Sequence, residues 1–350
     1  MRRIPLHATL SAMAIAAATI GLATTGTGTA SASATTAANP MPAHVFAPYY
    51  ETYNTATAMV KQSQKSGAKY LSLAFLQTAT AGSCTAFWNG STSKPIAHSS
   101  FGLEIAKIQA AGGQVVPSFG GFTADSTGTD IADSCTNVAS IAGVYEKVIT
   151  TYNVTRIDLD IEANSLTNTD GINRRNEAVA MVDTWAKSHH RSIQFSYTLP
   201  TTTTGLDAQE TPILQNAISD GATVSVVNLL TFDYFLGSTE EMATDTEQAA
   251  TDTITELTSL YPSKTQAQLW AMLGVTDMPG IDDFGPQETF TKADATTVLN
   301  WAKSNGLGTL SIWAVQRDNG RCPGTKGAGA CSGITQHQWF FSNLFEPFTR

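Results

Sequence analysis

Charge is scarce in this chain. Only 14% of its 350 residues are Asp, Glu, Lys or Arg, and acids outnumber bases, for a formal net charge of −9. The cationic surface that neutralises phosphates is missing, which argues against nucleic acid and anionic membrane as partners. Thr, Ser, Asn and Gln are left to keep the surface wet, so a neutral ligand is expected rather than an ionic one. Cysteine is sparse too, with four residues, too few for a disulfide-dense mini-protein, while 42% hydrophobic residues exclude a charge-rich disordered chain. No G-x-S-x-G elbow occurs, and no Gly-rich phosphate turn follows the first strand candidate, so a hydroxyl nucleophile and a dinucleotide fold lack support. There is no CxxC, and no His stands near the cysteines, which leaves no metal site and no cofactor expected. After residue 42 there is no Pro- or Ser-rich linker, no internal repeat and no appended binding module, so one domain is expected.

Long apolar runs are also missing. The one near the start, about Leu10 to Leu22, follows Arg2 and Arg3 and falls short of the roughly 20 residues that span a bilayer. Small residues follow, and both Ala30-Ser31-Ala32 and Ala32-Ser33-Ala34 have the A-x-A form of a signal-peptidase site. The reading is a secretory signal peptide over 1–32 (cleavage at 32 or 34), a short segment over 33–43 and the fold over 44–350. The product is expected to be extracellular, off the membrane after cleavage, and monomeric. Export exposes the cysteines to an oxidising compartment, where two disulfides can form. Of three pairings, Cys84 with Cys135 and Cys322 with Cys331 is preferred, because the last two flank a Gly-rich loop that a crosslink would hold.

What is present is alternation. Runs rich in β-branched and aromatic residues occur at His44 to Tyr50, Lys69 to Leu76, Gln114 to Phe119, Thr155 to Glu162, Ser192 to Leu199, Thr223 to Asp233, Gln268 to Gly274 and Gly308 to Val315. Segments of helical spacing lie between them, among them Phe101 to Ala111, Ile131 to Thr150, Ile172 to His189, Thr239 to Leu260 and Lys292 to Ser304, and Gln336 to Phe345 closes the series. Eight such units predict an α/β fold, a single-domain (β/α)8 TIM barrel.

The fourth strand candidate is the most informative. Residues two apart in a strand share a face, so Asp158, Asp160 and Glu162 line one side and Ile157, Leu159 and Ile161 the other. Neighbours in the row are about 6.5 to 7 Å apart at a rise near 3.3 Å per residue. In a barrel the apolar face meets the helices and the acids face inward near the C-terminal rim, where barrel chemistry occurs. Three acids gathered there raise one another's proton affinity, so one stays protonated beside others that ionise, as general-acid catalysis requires. A solvated strand edge does not suit a central strand, and a metal site would need a nearby His.

Asp158-x-Asp160-x-Glu162 at the end of the fourth strand resembles the DxxDxDxE signature of family 18 glycoside hydrolases, the chitinases. Ser118-Phe119-Gly120-Gly121 resembles the family's S-x-G-G, Asp233 falls in its sixth-strand motif and Trp313 resembles its eighth-strand tryptophan. An archaeal and actinobacterial subgroup is most similar, through Phe46-Ala47-Pro48-Tyr49, Ala74-Phe75, Thr198-Leu199-Pro200, Gly274-Val275-Thr276 and Ser311-Ile312-Trp313. Two positions depart from the pattern. Thr155 and Arg156 replace the first acid and the glycine of the signature, and Phe232 stands where many members have a tyrosine that binds the acetamido group. Tyr234, on the same face by strand alternation, is the candidate to supply that hydroxyl.

The resemblance implies a retaining, substrate-assisted hydrolysis of chitin or N-acetyl-chitooligosaccharides, outside the ordinary two-carboxylate scheme. It implies Glu162 as general acid and base, Asp160 on the acetamido N–H, Asp158 sharing a proton or hydrogen bond with Asp160, and Asp233 orienting the sugar. Trp313 is the expected floor under the reacting sugar, with Tyr49, Phe75 and Trp88 extending the cleft; for Trp88, packing beside Cys84 weighs equally. Ser118, Gly120 and Gly121 are expected to shape the floor. The competing readings are an endo-β-N-acetylglucosaminidase acting on N-glycan cores and a non-catalytic chitin-binding barrel.

Overall fold

The computed structural model describes residues 38–327 and 329–350. The expected leader over 1–32 and both cleavage positions lie outside the described residues. Apolar residues at every second position make the strands, and the same period of two sends the intervening polar residues to the opposite face. Among the described residues, eight parallel strands form a closed ring. They are β1 (Val45–Phe46 and Tyr49–Glu51), β2 (Tyr70–Thr78), β3 (Gln114–Gly120), β4 (Arg156–Asp160), β5 (Gln194–Pro200), β6 (Val226–Leu230), β7 (Leu273–Asp277) and β8 (Thr309–Ile312). The interruption of β1 falls at Ala47-Pro48, where proline offers no amide to the ladder. The first half of β1 pairs with β8 (Val45 with Thr309) and the second with β2 (Tyr49 with Ser72), which closes the barrel.

Outside the ring stand α1 (Met59–Ser66), α2 (Leu103–Ala110), α3 (Val138–Tyr152), α4 (Thr169–Ser188), α5 (Thr211–Asp220), α6 (Met242–Leu260), α7 (Lys292–Asn305) and α8 (Phe340–Phe345). This is the expected (β/α)8 architecture. Ile157 and Leu159 of β4 join Tyr145, Val148 and Ile149 of α3 and Val179 and Val182 of α4 in one continuous apolar core between sheet and helices. The lumen differs from the usual branched-aliphatic filling of such barrels. Ser72, Ser118, Ser196, Thr198, Asn228, Thr276 and Ser311 are buried there with the acids.

Four expectations about elements are corrected. The strand expected over Gln268 to Gly274 is instead a helix, Gln266–Met272, followed by β7 five residues later than predicted. A capping box explains it, because Thr265 accepts the Gln268 amide while Gln268 returns a bond to the Thr265 amide, and this starts a helix through Leu269, Trp270 and Met272. The helix expected over Ile131 to Thr150 breaks at Cys135, which adopts extended dihedrals between Ile131–Ser134 and α3. The sixth strand is shorter than Thr223 to Asp233, and only Phe340–Phe345 of the last expected helix is α-helical. Both preferred disulfides form, Cys84 with Cys135 (Cα–Cα 4.6 Å) and Cys322 with Cys331 (6.0 Å).

Candidate active site

The acid row begins deep in the lumen. Asp158 is buried inside a shell of four hydroxyls: Ser118 and Tyr49 donate to Oδ2 at 2.6 and 2.9 Å, and Ser196 and Thr198 to Oδ1 at 2.6 and 2.7 Å. They come from β3, β1 and β5, whose register sets Ser118 and Ser196 level with Asp158. Thr198 is itself held by Asn228 of β6 at 3.1 Å. Four donors fill the acceptor positions of a carboxylate, so Asp158 is committed to this shell. The expected hydrogen bond between Asp158 and Asp160 does not form, because the hydroxyls occupy the oxygens that would make it.

Asp160, one step up, is also buried, and its Oδ1 has no hydrogen-bond partner in the protein. Burial, and the negative charges of Glu162, Asp158 and Asp125 behind it, push its carboxyl well above the usual carboxylate range. Glu162 is raised by burial to about 7, against a small lowering by the Phe122 amide. Its backbone N–H donates to Asp125 Oδ2 at 2.5 Å, and the chain then turns at Ala163 (φ 45). Asp125, on the short helix Phe122–Thr127, is fully buried and is itself raised, by burial and by the charge of Asp130.

Above the row opens a cleft of about 820 Å³ lined by Asp160, Glu162, Gly120, Asp233, Phe75 and Trp313 among others. The Phe75 and Trp313 rings stack at 5.6 Å and 16°, with Tyr49 edge-on to Trp313 at 5.4 Å. Two glycines let the walls approach. A Cβ on Gly120 (φ +92) would lie 2.1 Å from the Asp160 carbonyl, and one on Gly121 (φ +83) 2.6 Å from the Phe75 ring. The arrangement places graded carboxyls at the bottom of a cleft with an aromatic wall, which suits acid-base work on a neutral, CH-faced polymer.

No family model matches the chain. Active domain 2 of the chitinase from Pyrococcus furiosus is 29% identical, and the alignment covers 89% of this chain and 97% of that domain with a TM-score of 0.77. A probable bifunctional chitinase/lysozyme of Escherichia coli (strain K12) is 31% identical over 322 residues, 88% of this chain and 35% of that protein. Endochitinase 11 of Metarhizium anisopliae is 30% identical over 286 residues, 79% of this chain and 53% of that protein. The relatives and the structural neighbour that this chain matches over most of its length are chitinases. The chain spans about a third and about half of the length of these two full-length relatives.

Against the family 18 pattern, the structure brings Asp160, Glu162, Asp233, Phe75, Gly120 and Trp313 together at the cleft. Ser118 and Gly121 lie just behind it. Three placements are corrected. Tyr49 is not a cleft platform, since its hydroxyl points down to Asp158. Trp88 is fully buried, donates from Nε1 to the Tyr152 hydroxyl at 2.9 Å and packs edge-on against Phe101. Tyr234 does not line the cleft; burial and the nearby charges of Asp277, Asp245 and Glu288 raise its phenol on the other side. Strand alternation failed there because β6 ends at Leu230 and Asp233 and Phe235 take left-handed dihedrals (φ 56 and 55).

The cleft also carries residues that the sequence did not single out. Phe122, Phe235 and Tyr53 are 67%, 59% and 51% exposed on its rim. Phe122 directly follows the Gly120-Gly121 pair, and Phe235 stands two after Asp233, so adjacency to the motifs was the available signal. The loop bearing Asp233 is pinned by carboxylates: Asp282 Oδ2 accepts the Asp233 amide at 3.0 Å and Glu288 Oε2 the Tyr234 amide at 2.8 Å. Asp233 Oδ1 accepts the Asp283 amide at 3.0 Å, and its carboxyl is raised to about 7 by burial and by Asp283. Asp233, Asp282 and Glu288 are the one trio of carboxylates, among the described residues, close enough to share an ion. Their oxygens already accept loop amides.

Proposed function

We propose that this chain is an exported chitinase that cleaves β-1,4 bonds between N-acetylglucosamine units with retention of configuration. The observation that carries the proposal is the row of carboxyls at the end of β4, rising from the hydroxyl-bound Asp158 to Glu162 in a cleft walled by Phe75 and Trp313. Crystals of the Pyrococcus domain's mutants complexed with chito-oligosaccharides support the substrate class. The two disulfides suit an oxidising compartment and so support export.

In this reading Glu162 gives its proton to the glycosidic oxygen while the acetamido carbonyl oxygen of the sugar on the non-reducing side bonds to C1. The C1–O bond breaks, the leaving sugar departs as an alcohol, and a cyclic oxazolinium ion remains. Asp160 accepts the acetamido N–H and balances the positive charge, with Asp158 fixed beneath it. Glu162, now a carboxylate, takes a proton from the water that attacks C1 and reopens the ring, which restores the acid. Asp233 orients the sugar and Trp313 carries its apolar face.

The test is turnover of N-acetyl-chitooligosaccharides by wild type and Glu162→Gln, with the anomer of the first product read by NMR. Loss of turnover in the variant and a retained anomer are expected. Equal turnover by both proteins, or an inverted product, refutes the mechanism; release of N-glycans from a glycoprotein without cleavage of chito-oligosaccharides refutes the substrate.

A further inference from the structure

Beneath the acids, β4 carries a cation on the same inward face. Arg156 is two residues below Asp158 and buried, at the position where the family signature has glycine. Its side chain runs across the floor of the lumen. Nε donates to Gln194 Oε1 of the neighbouring β5 at 3.0 Å, and Nη1 reaches Thr309 Oγ1 of β8, on the opposite side of the ring, at 3.4 Å. Arg156, Asp158, Tyr49, Ser196 and Asn228 line a small space of about 20 Å³ within the lumen, room for one water. A guanidinium anchored at both ends cannot follow the acids, so its charge acts from a set place.

We infer that Arg156 is a positioning residue for the reaction: anchored across the lumen on the same face of β4 as the acids, it supplies positive charge from a fixed place beneath the row. The inference rests on the reading of the β4 acids given above. Burial draws the guanidinium down to about 10, against which Asp158 acts, so Arg156 remains a cation over the neutral range. The groups facing the row are Tyr49 from β1, Asp125 from behind β3, and Asp160 and Glu162 from β4. Toward it β5 turns Ser196 and Thr198, and β6 turns Asn228, none of which ionises in this range. Arg175 of α4, whose charge also reaches Asp125, is paired with Asp130 outside the ring, so Arg156 is the cation on the lumen side of these groups and sets how readily the row as a whole takes up a further proton as the pH falls.

Profiles of kcat/KM against pH on a soluble N-acetyl-chitooligosaccharide test this with Arg156→Gln, which removes the charge, and Gln194→Glu, which keeps the arginine but sets a carboxylate against its Nε. Both are expected to move the acid limb up by about one pH unit, a fall of about tenfold on the low-pH side, with KM within about threefold. A merely structural role would lower the rate evenly without moving the limb. An unmoved limb in either folded variant overturns the inference, and Gln194→Glu decides alone if Arg156→Gln does not fold. If wild type turns over no such substrate, the functional reading fails separately. The inference is then decided by thermal unfolding of whichever of the two variants folds: the row's carboxyls are already raised in the folded protein, losing the cation raises them further, and the variant's stability deficit against wild type should grow as the pH rises through about 7; a difference that does not change with pH overturns it.

Discussion

Replacing Glu162 by Gln should make the protein more stable, and only above a certain pH. Burial raises the Glu162 carboxyl from 4.5 to about 7. Below about 4.5 both folded and unfolded chains carry the proton and the residue is neutral to stability. Between 4.5 and 7 the unfolded chain loses its proton while the folded chain keeps it, so the wild type loses stability as the pH rises through this window. Above 7 the full difference is reached, about 3 kcal/mol at about 1.4 kcal/mol per unit. Glutamine has the same shape and no charge to desolvate, and it removes a like charge from Asp160 and Asp125, which are both raised in part by Glu162. The gain in Tm at pH 8.5 is expected to be on the order of 6 °C, and close to zero at pH 4. Differential scanning calorimetry of both proteins from pH 4 to 9 measures it. A Tm difference that does not grow with pH would refute the account of Glu162 as a carboxyl held protonated by burial, whatever its effect on turnover.

Asp160→Asn should lower kcat at least about a hundredfold with KM within a few fold, since the residue acts on charge that develops at the transition state; steady-state kinetics on chito-oligosaccharides read the split, and an unchanged kcat rejects substrate assistance through this residue. Trp313→Ala should raise KM about tenfold or more by removing one side of the stacked pair, measured alike on tri- to hexasaccharides. Trp88→Phe should leave kcat/KM unchanged within about twofold and cost about 1–2 kcal/mol in denaturant unfolding through the lost bond to Tyr152, which separates a core tryptophan from a cleft tryptophan.

Much of the site was legible because strand geometry is local. Ile157, Leu159 and Ile161 alternating with Asp158, Asp160 and Glu162 suffice to predict one apolar and one acidic face, and the structure has that strand with the acids inside. The same local rule misplaced Tyr234, because it was carried four residues past the end of β6 into left-handed turns. A run of Leu269, Trp270 and Met272 was read as strand although Thr265 and Gln268 encode a helix start, so there the missed signal was local and available. Asp125 had no such signal. Its sequence neighbours describe a short helix, and only folding brings its Oδ2 to the Glu162 amide.

The chain by itself determines the alternation of strands and helices, the scarcity of charge and the spacing of three acids along one strand, since each depends on residues within a few positions of one another. Tertiary structure decides which of those acids differ and why. Closing the ring places Tyr49, Ser118, Ser196 and Thr198 from three other strands on Asp158, leaves Asp160 Oδ1 without a partner and buries Glu162 against Asp125. Proton affinity depends on what surrounds a carboxyl within a few ångströms, and those surroundings come from residues as far as 109 positions away along the chain.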